Sequence, residues 1–320
     1  MTEQKQLSFP YVWNVDGVQA GDFSAFSRDN MQEIEQRLLE HGAVLFRGFG
    51  IDSEDKMQQC VNALPGEQLR YVDGNSPRTH LKEAVYTSTE YPPELFISLH
   101  SELSYADKWP SHLFFCCAIE PQQGGNTLVA SNRAILEELP GEIVEQFVAK
   151  GVKYVRNLHG GTGVKIGQSW MATYETTDRS IVERHCKEHD VQYEWKPDGS
   201  LRTIQLRKAV AEHPVTGEKV WFNQADQFHP STNPPDIYEI LMELYGDTPE
   251  DMPHYACFAD GSSIDAEMLD VIRKVTARHT SYFPWKKGDF LMVDNMLASH
   301  GRAPYSGPRK ILVAMSARQF

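Results

Sequence analysis

Two histidines and one glutamate carry the clearest chemistry in this sequence. His100 and Glu102 are two residues apart in Ser98–Leu103, so an extended chain would place both on one side, because strand side chains alternate. His300 follows the apolar run Phe290–Val293 and could supply a third ligand. Two imidazoles and one carboxylate on one side of a metal leave its other positions open, as in non-haem iron oxygenases.

The spacing alone leaves other interpretations open. The same three ligands could bind zinc for hydrolysis, although the helical H-E-x-x-H signature of zinc proteases is absent. The chain has 12 histidines, so such pairs also arise by chance, and histidines with structural partners are the simpler explanation. A non-catalytic barrel that binds a small molecule is a further alternative, but it has no use for an open metal site.

Six groups of motifs follow one another over the last two thirds of the chain. They are His100–Glu102, Pro110 with Leu113–Cys117, Pro121–Thr127, Val220–Asn223, Trp285–Asp289 with Asp294–Asn295, and His300–Arg302 with Gly307–Lys310. Their order resembles the taurine dioxygenase (TauD/TfdA) family of Fe(II)/2-oxoglutarate-dependent oxygenases, in particular its SyrP-like and clavaminate synthase-like branch. Gly42–Phe49 also resembles the opening strand of this family.

The resemblance implies Fe(II) on the three candidate ligands, with 2-oxoglutarate and O2 as co-substrates. It also implies that Thr127 hydrogen-bonds one 2-oxoglutarate carboxylate and that Arg309 pairs with the far one. A planar guanidinium suits that role because it meets a carboxylate with two parallel, charge-assisted hydrogen bonds. Lys310 and Arg302 are nearby alternatives, but Lys310 would point away from Arg309 on a strand, and Arg302 could equally be a solvated charge.

The reaction that the resemblance implies is hydroxylation of an aliphatic C–H in an amino acid, free or bound to a carrier protein, in a specialised natural-product pathway. Many family members have Asp where this chain has Glu102, and Glu is common in the amino-acid-hydroxylating relatives. Halogenating relatives have a small residue there, so Glu102 favours hydroxylation. Desaturation and cyclisation by the same iron chemistry stay open.

Three other groups of residues could take part in binding. Asn223, Gln224 and Asp226 could contact the substrate, with turn and capping roles as the alternative. The glycine-rich run His159–Gly163 could be a lid, although an ordinary loop is the simpler interpretation. The remaining group has the helical spacing of a zinc site but lacks a fourth ligand, so a solvated helix face is favoured. It comprises His185, Cys186 and His189.

Hydrophobic periodicity predicts the elements that must position these residues. Helices are predicted at Met31–His41, Glu142–Lys150, about Ser180–His189, Asp236–Tyr245 and Ile264–Arg278. Strands are predicted at Ala43–Phe46, Leu113–Ile119, Thr127–Ala130, Val152–Val155, Val191–Trp195, Leu201–Leu206, Val220–Asn223, Phe290–Val293 and Ile311–Ser316. Pro214–Gly217 is predicted to be a turn between Lys208–Glu212 and Glu218–Asn223.

Many short strands without regular strand–helix alternation predict a mainly β fold with flanking helices. The preferred architecture is a double-stranded β-helix (jelly roll), and a doubly wound sheet is the alternative. The chain has 320 residues, 41% of them hydrophobic, and shows no linker or repeat. We therefore predict one domain over residues 1–320, with helical insertions.

Charge and cysteine usage restrict the partners and the compartment. A net charge of −13 disfavours nucleic acids and anionic membranes as partners. No run reaches the roughly 18 apolar residues of a membrane span, and polar Met1–Gln6 does not resemble a secretory signal. The five cysteines are scattered, and Cys116 and Cys117 lie in an apolar strand that suits core packing. Together these features predict a cytoplasmic protein.

Overall fold

The computed structural model describes residues 9–15, 23–76, 78–89, 91–162 and 166–317. The predictions for Met1–Gln6 and for Gly163 lie outside these residues. The strands are β1 Tyr11–Asn14, β2 Ala43–Arg47, β3 Glu67–Gln68, β4 His80–Lys82, β5 Val85–Thr87, β6 Ile97–His100, β7 His112–Ile119, β8 Gln123–Gly124, β9 Thr127–Ser131, β10 Val152–Leu158, β11 Gln192–Trp195, β12 Leu201–Arg207, β13 Val210–Glu212, β14 Lys219–Trp221, β15 His254–Phe258, β16 Thr280–Phe283, β17 Phe290–Asp294, β18 Ala298–Arg302, β19 Tyr305–Ser306 and β20 Lys310–Ala317.

Ten α-helices surround these strands in the described part of the chain. They are α1 Phe23–Asp29, α2 Met31–His41, α3 Glu54–Ala63, α4 Asn132–Glu138, α5 Gly141–Lys150, α6 Trp170–Thr173, α7 Arg179–Glu188, α8 Ala225–Phe228, α9 Pro235–Tyr245 and α10 Ala266–Arg278. The five predicted helices are confirmed, with ends that shift by at most two residues. The shorter helices were not predicted, because so few turns show little periodicity.

Two sheets face each other at the centre of the fold. The large sheet has the order β1-β2-β17-β7-β20-β5-β4, with β3 on β20, and the small sheet has the order β16-β9-β18-β6. Residues such as Leu113, Leu291 and Val313 of the large sheet pack with Val129 and Ala298 of the small one. Burial of these apolar side chains holds the sheets together and leaves the metal candidates between them.

The pairing confirms the β-rich prediction. β1 and β2 are parallel, whereas the other ladders of the described strands are antiparallel, so the doubly wound alternative does not occur. The predicted turn Pro214–Gly217 joins the antiparallel pair β13–β14. The predicted strand Val220–Asn223 ends earlier, at Trp221, because the Asn223 side chain bonds backbone groups of Ala209 and Ala225.

A long insertion between β9 and β16 contains a third sheet, in the order β11-β12-β10-β15, and α4 to α10. On the outer face of the small sheet, Ala130 packs with Leu269, Ile272 and Val275 of α10. On the outer face of the large sheet, α1 to α3 pack their apolar sides. The small sheet therefore has one face toward the metal candidates and one face toward the insertion.

A buried ion pair ties the segment 71–78 to this insertion. Arg156 of β10 is 1% exposed and Asp73 is 4% exposed, and the Arg156 Nη2 contacts the Asp73 carboxylate. Arg156 Nη1 also donates to the Asp73 carbonyl oxygen at 3.1 Å, and the Tyr105 hydroxyl donates to the same oxygen at 2.6 Å. These bonds fix Asp73 in a left-handed conformation, with φ of 64°.

We expect the stability that Asp73 contributes to be constant near neutrality and to be lost in acid. Burial alone would raise the pKa of this carboxyl, but Arg156 and His185 outweigh burial and lower the pKa from 3.8 to about 2. Because the folded-state pKa is lowered, the contribution is present above the unfolded value and is lost as the pH falls through about 2. A shift of this size corresponds to about 2 kcal/mol.

Urea unfolding of the wild type and of Asp73→Asn at several pH values measures this contribution. The difference in free energy of unfolding should stay constant from neutral pH to about pH 5 and narrow below about pH 4. A difference that grows as the pH falls would contradict the assignment of a lowered pKa to Asp73.

Candidate functional site

Three ligand-bearing side chains come together between the two sheets. β6 and β18 pair with His100 opposite His300, and the centroids of the two imidazole rings are 4.4 Å apart. Glu102 Oε2 lies 3.8 Å from His300 Nε2. One ligand atom from each residue lies within 4.8 Å of the others, and all three residues are buried. Among the described residues, this is the group of His, Cys, Asp and Glu side chains that could hold a metal ion.

A turn, and not a continued strand, presents Glu102. β6 ends at His100, and Leu103 has a positive φ of 56°. Asn295, which is fully buried, holds this turn: its Oδ1 accepts from the Glu102 N–H at 2.7 Å, and its Nδ2 donates to the Glu102 carbonyl at 2.9 Å. The same Nδ2 donates to the Pro110 carbonyl at 2.9 Å. The position of Glu102 therefore depends on a residue far away in sequence.

Asn295→Ala should weaken Mn(II) binding by about tenfold or more, because residues that orient metal ligands typically account for 10- to 100-fold in affinity. The substitution removes two hydrogen bonds that fix the backbone of Glu102 and a third to the Pro110 carbonyl. Calorimetric titration with Mn(II), a redox-stable substitute for Fe(II), measures this change.

Asn157→Ala is the matched control. Asn157 Nδ2 likewise donates to two backbone carbonyls, of Glu250 and Met252, but it lies on β10 away from the candidate ligands. Both variants should lose stability, and only Asn295→Ala should lose Mn(II) affinity. Equal Mn(II) affinities in the two variants would show that Asn295 does not position Glu102.

The surroundings of both histidines favour the form that binds a metal. His100 Nδ1 donates to the Ser98 carbonyl at 2.9 Å, which leaves the Nε2 lone pair free. Burial lowers the pKa of His100, against the opposing effect of Glu102. Burial also lowers the pKa of His300 well below its ordinary value, with His100 and Arg78 acting in the same direction. Neutral imidazoles are the form that ligation requires.

The predicted co-substrate residues line the same inter-sheet cavity as the histidines. Thr127 is 4% exposed and faces Arg302 across the β9–β18 pair. Trp285 Nε1 donates to Thr127 Oγ1 at 2.9 Å. An indole nitrogen can only donate, so the Thr127 hydroxyl must accept this bond and its own proton stays available for an anion. The sequence motif around Trp285 was recognised, but this contact was not predicted.

Arg309 is a partly buried cation in this cavity. Its Nε donates to the Gly125 carbonyl at 3.1 Å, and no carboxylate of the described residues lies within 4 Å of its guanidinium. Burial lowers the pKa of Arg309 to about 10, which leaves the group protonated at neutral pH. A buried charge without a counter-ion is costly, so this position suits an anionic ligand.

The two alternative cations have other partners. Lys310 Nζ contacts Glu54 Oε1 at 2.6 Å, so it points away from the cavity, as the strand alternation predicts. Arg302 also lines the cavity, but its guanidinium donates to the carbonyls of Tyr91, Pro92 and Leu95 at 2.6 to 3.0 Å. Arg302 is buried and not solvated. Its hydrogen bonds hold the segment before β6 against β18, the strand on which Arg302 lies.

The predicted substrate residues lie on the other face of the small sheet. Asn223, Gln224 and Asp226 line an outer cavity of about 330 Å³, beside Leu269 of α10 and Ser299. His100 borders this outer cavity as well as the inter-sheet cavity.

Each of these side chains has a partner in the protein. Asn223 donates to the Ala209 carbonyl and accepts from the Ala225 N–H, Gln224 donates to the Ser101 carbonyl at 2.8 Å, and Asp226 pairs with Arg273 at 2.6 Å. Their contact with a substrate stays a prediction.

The remaining sequence candidates are placed as follows. His159 lines a cavity formed by two loops, whereas the end of the predicted lid at Gly163 lies outside the described residues. His185 lies 3.8 Å from Asp73, and His189 Nδ1 lies 2.8 Å from Asp107. Both histidines of the alternative zinc group therefore have carboxylate partners. Cys186 is a buried free thiol, as are Cys60, Cys116, Cys117 and Cys257.

A family model described as "Taurine catabolism dioxygenase TauD, TfdA family" matches residues 3–315. The chain belongs to this family. It is therefore an Fe(II)/2-oxoglutarate-dependent dioxygenase that consumes O2, as the motifs predicted. Family membership decides against the zinc hydrolase and the non-catalytic barrel.

Relatives and solved structures agree with this TauD/TfdA membership. The chain is 36% identical to the dapdiamide synthesis protein DdaC of Enterobacter agglomerans over 88% of this chain and 84% of the relative. It is 30% identical to a clavaminate synthase-like protein of Arabidopsis thaliana over 88% and 83%.

Among solved structures, AAD-2 in complex with Mn(II) and N-oxalylglycine aligns with a TM-score of 0.57 at 16% identity, covering 99% of this chain and 97% of that one. PvcB from Pseudomonas aeruginosa aligns with a TM-score of 0.55 at 14% identity, covering 98% and 87%. These neighbours confirm the jelly-roll fold. No helix among the described residues is long and apolar enough to cross a membrane.

The residues present fit the iron and the 2-oxoglutarate of the TauD/TfdA family. Two neutral imidazoles and one carboxylate converge on one point, which is the donor set of an open iron site. His300 Nδ1 is a buried nitrogen without a hydrogen-bond partner in the described structure. Arg309 is a partly buried cation in the same cavity, and Thr127 has a free hydroxyl proton, so both ends of a dicarboxylate would find a donor.

Proposed function

We propose that His100, Glu102 and His300 bind Fe(II) and that Thr127 and Arg309 bind 2-oxoglutarate. The convergence of three buried ligand atoms within 4.8 Å of one another supports this assignment. When bound, iron and 2-oxoglutarate supply the oxidation, in which O2 is consumed, 2-oxoglutarate becomes succinate and CO2, and the substrate gains a hydroxyl group.

The protein positions the metal and the co-substrate and excludes water from the site. Asn295 holds the backbone of Glu102, and Ser98 holds the ring of His100 through Nδ1. Trp285 orients the Thr127 hydroxyl, whose proton can then be donated to a carboxylate of the co-substrate. Arg309 neutralises the far carboxylate of 2-oxoglutarate within the inter-sheet cavity.

The proposed reaction is hydroxylation of an aliphatic C–H of an amino acid, free or bound to a carrier protein, in a specialised pathway. Two relatives support the pathway class: one is named a dapdiamide synthesis protein, and PvcB is described as an oxygenase from an isonitrile synthetic pathway. Glu102 supports hydroxylation over halogenation. We further propose that residues 1–320 act as one domain in the cytoplasm, where five buried free thiols would stay reduced.

An oxygen pulse tests this reaction. The enzyme is mixed anaerobically with Fe(II), 2-oxoglutarate and candidate amino acids or aminoacyl carrier proteins, oxygen is added, and products are analysed by mass. We expect a gain of one oxygen atom in one candidate, matched by one succinate. Consistent loss of two hydrogens would instead indicate desaturation or cyclisation. If no amino acid or aminoacyl carrier stimulates succinate formation, the proposed substrate class is wrong.

A further inference from the structure

Two loops enclose a cavity that the proposed metal and co-substrate residues do not use. Residues within 71–76 and 167–175, together with Arg78 and His159, line this loop cavity, which has a volume of about 370 Å³. That size is in the range of small-molecule sites. The buried pair of Asp73 and Arg156 anchors one of its walls to the insertion.

Arg78 connects the loop cavity with the metal candidates. It lines the loop cavity as well as the inter-sheet cavity that contains His100 and His300. Its side chain is 2% exposed, and its guanidinium lies 4.1 Å from the centroid of the Tyr71 ring. Arg78 Nη2 contacts Glu102 Oε2 at 2.5 Å, whereas Nε and Nη1 have no hydrogen-bond partner among the described residues.

The contact with Glu102 uses an oxygen that a metal would need. Glu102 Oε2 is the atom 3.8 Å from His300 Nε2, so it faces the point where the three ligands converge. A metal ion bound there would place a second positive charge beside Arg78, so the metal and Arg78 compete for the charge of this one carboxylate. Nε and Nη1 of Arg78 have no partner among the described residues in either case, and burial of such a charge is costly without an anion.

The lining of the loop cavity also carries a negative charge. Glu175 lines the cavity and pairs with the exposed Arg70 at 2.6 Å. The side chain of Glu175 is 26% exposed, whereas that of Arg78 is 2% exposed. The cavity thus has a buried cation near the metal candidates and a partly exposed anion, a charge arrangement that complements a zwitterion.

We propose that the loop cavity binds the primary substrate and that Arg78 pairs with its free α-carboxylate, while Glu175 faces its ammonium group. This inference rests on the proposed function and narrows it. A carrier-bound aminoacyl thioester has no free α-carboxylate, so the substrate is a free α-amino acid or a small molecule that ends in one. The Arg78 guanidinium meets the carboxylate through the donors that are unpaired in the protein.

The first experiment compares substrates in the wild-type enzyme loaded with Fe(II) and 2-oxoglutarate. The panel contains the L-α-amino acids, their α-carboxamides and the corresponding acids without the amino group, with O2-dependent succinate as readout. We expect an amino acid to stimulate succinate formation and its carboxamide to fail. Equal stimulation by the carboxamide would overturn the inference while leaving the proposed function intact.

The second experiment uses Arg78→Gln, with Arg78→Lys as the conservative variant. We expect the KM for the stimulating amino acid to rise roughly 30-fold in Arg78→Gln and less in Arg78→Lys, with little change in the KM for 2-oxoglutarate. Lys82→Gln is the control, because it removes a positive charge from the same part of the chain at an exposed position that pairs with Asp55. An equal rise in the KM for 2-oxoglutarate would assign Arg78 to the co-substrate and overturn the inference.

Mn(II) affinity gives a readout that does not need a substrate. Because Arg78 competes with the metal for Glu102 Oε2, Arg78→Gln should bind Mn(II) more tightly than the wild type, by a few-fold or more. A residue that only supports the fold would weaken binding when removed, and unchanged or weaker binding would overturn the inference. If the whole substrate panel fails to stimulate succinate formation, the proposed function fails, and the Mn(II) titration still decides whether Arg78 competes for Glu102.

Discussion

His100→Ala, Glu102→Ala and His300→Ala should each abolish turnover and leave the fold largely intact. Each substitution removes one of three buried groups that converge within 4.8 Å, and none of these groups belongs to an apolar core cluster. Loss of residues that merely orient ligands already costs about 10- to 100-fold, so loss of a ligand should cost more than about 100-fold in metal affinity or activity. Mn(II) titration and O2-dependent succinate formation measure the two effects.

The matched control is His254→Ala. Desolvation also lowers the pKa of His254, to about 4, so it is another neutral imidazole, partly buried, but it lies on β15 of the third sheet. It should change stability without changing Mn(II) affinity. If any two of the three ligand variants kept near-normal turnover with iron, the assignment of the metal ligands would be wrong.

Local sequence was enough to predict the elements with strong periodicity. The apolar strand Phe290–Val293 and the helix Met31–His41 occur with nearly the predicted bounds, because each buries a regular pattern of side chains. His300 was expected just after the former strand, and it lies on β18, one short turn later. Motif order then indicated which histidine belongs with His100, which spacing alone does not decide.

Other parts of the site depend on contacts that local sequence does not show. Glu102 is held by Asn295, 193 positions away in the chain, so the turn that presents it has no local signal. Arg78 lies in an irregular segment just before β4, and its contact with Glu102 joins residues 24 positions apart. Pairing of β9 with β16 across that insertion is likewise a long-range outcome of packing.

Substrate residues were the least accessible to sequence reasoning. Asn223, Gln224 and Asp226 are polar residues after a buried aromatic pair, a pattern that suits a binding loop. The structure shows that each has a hydrogen-bond or ion-pair partner in the protein. The buried atoms without a hydrogen-bond partner among the described residues include Gln224 Oε1 as well as Nε and Nη1 of Arg78. Such atoms are candidates for contact with a ligand, and they are visible only after folding.

Arg309→Ala should raise the 2-oxoglutarate requirement about 10- to 100-fold, because it removes a charge-assisted pair of about 1.5–3 kcal/mol. The guanidinium is buried in the inter-sheet cavity, keeps its proton despite a pKa lowered to about 10, and has no carboxylate partner among the described residues. In the free protein this guanidinium has no counter-ion among the described residues. A carboxylate of bound 2-oxoglutarate would therefore form its ion pair without displacing another carboxylate. The measurement is the KM for 2-oxoglutarate, supported by titration of the Mn(II)-loaded enzyme with N-oxalylglycine.

Two neighbouring cations make this prediction specific. Lys310→Ala removes the adjacent charge, but Lys310 pairs with Glu54 outside the cavity, so the KM for 2-oxoglutarate should stay the same. Arg302→Ala should mainly lower the free energy of unfolding, because the Arg302 guanidinium donates hydrogen bonds to three backbone carbonyls before β6. A larger KM increase in Arg302→Ala than in Arg309→Ala would mean that the far carboxylate pairs with Arg302, and that Arg309 serves another anion.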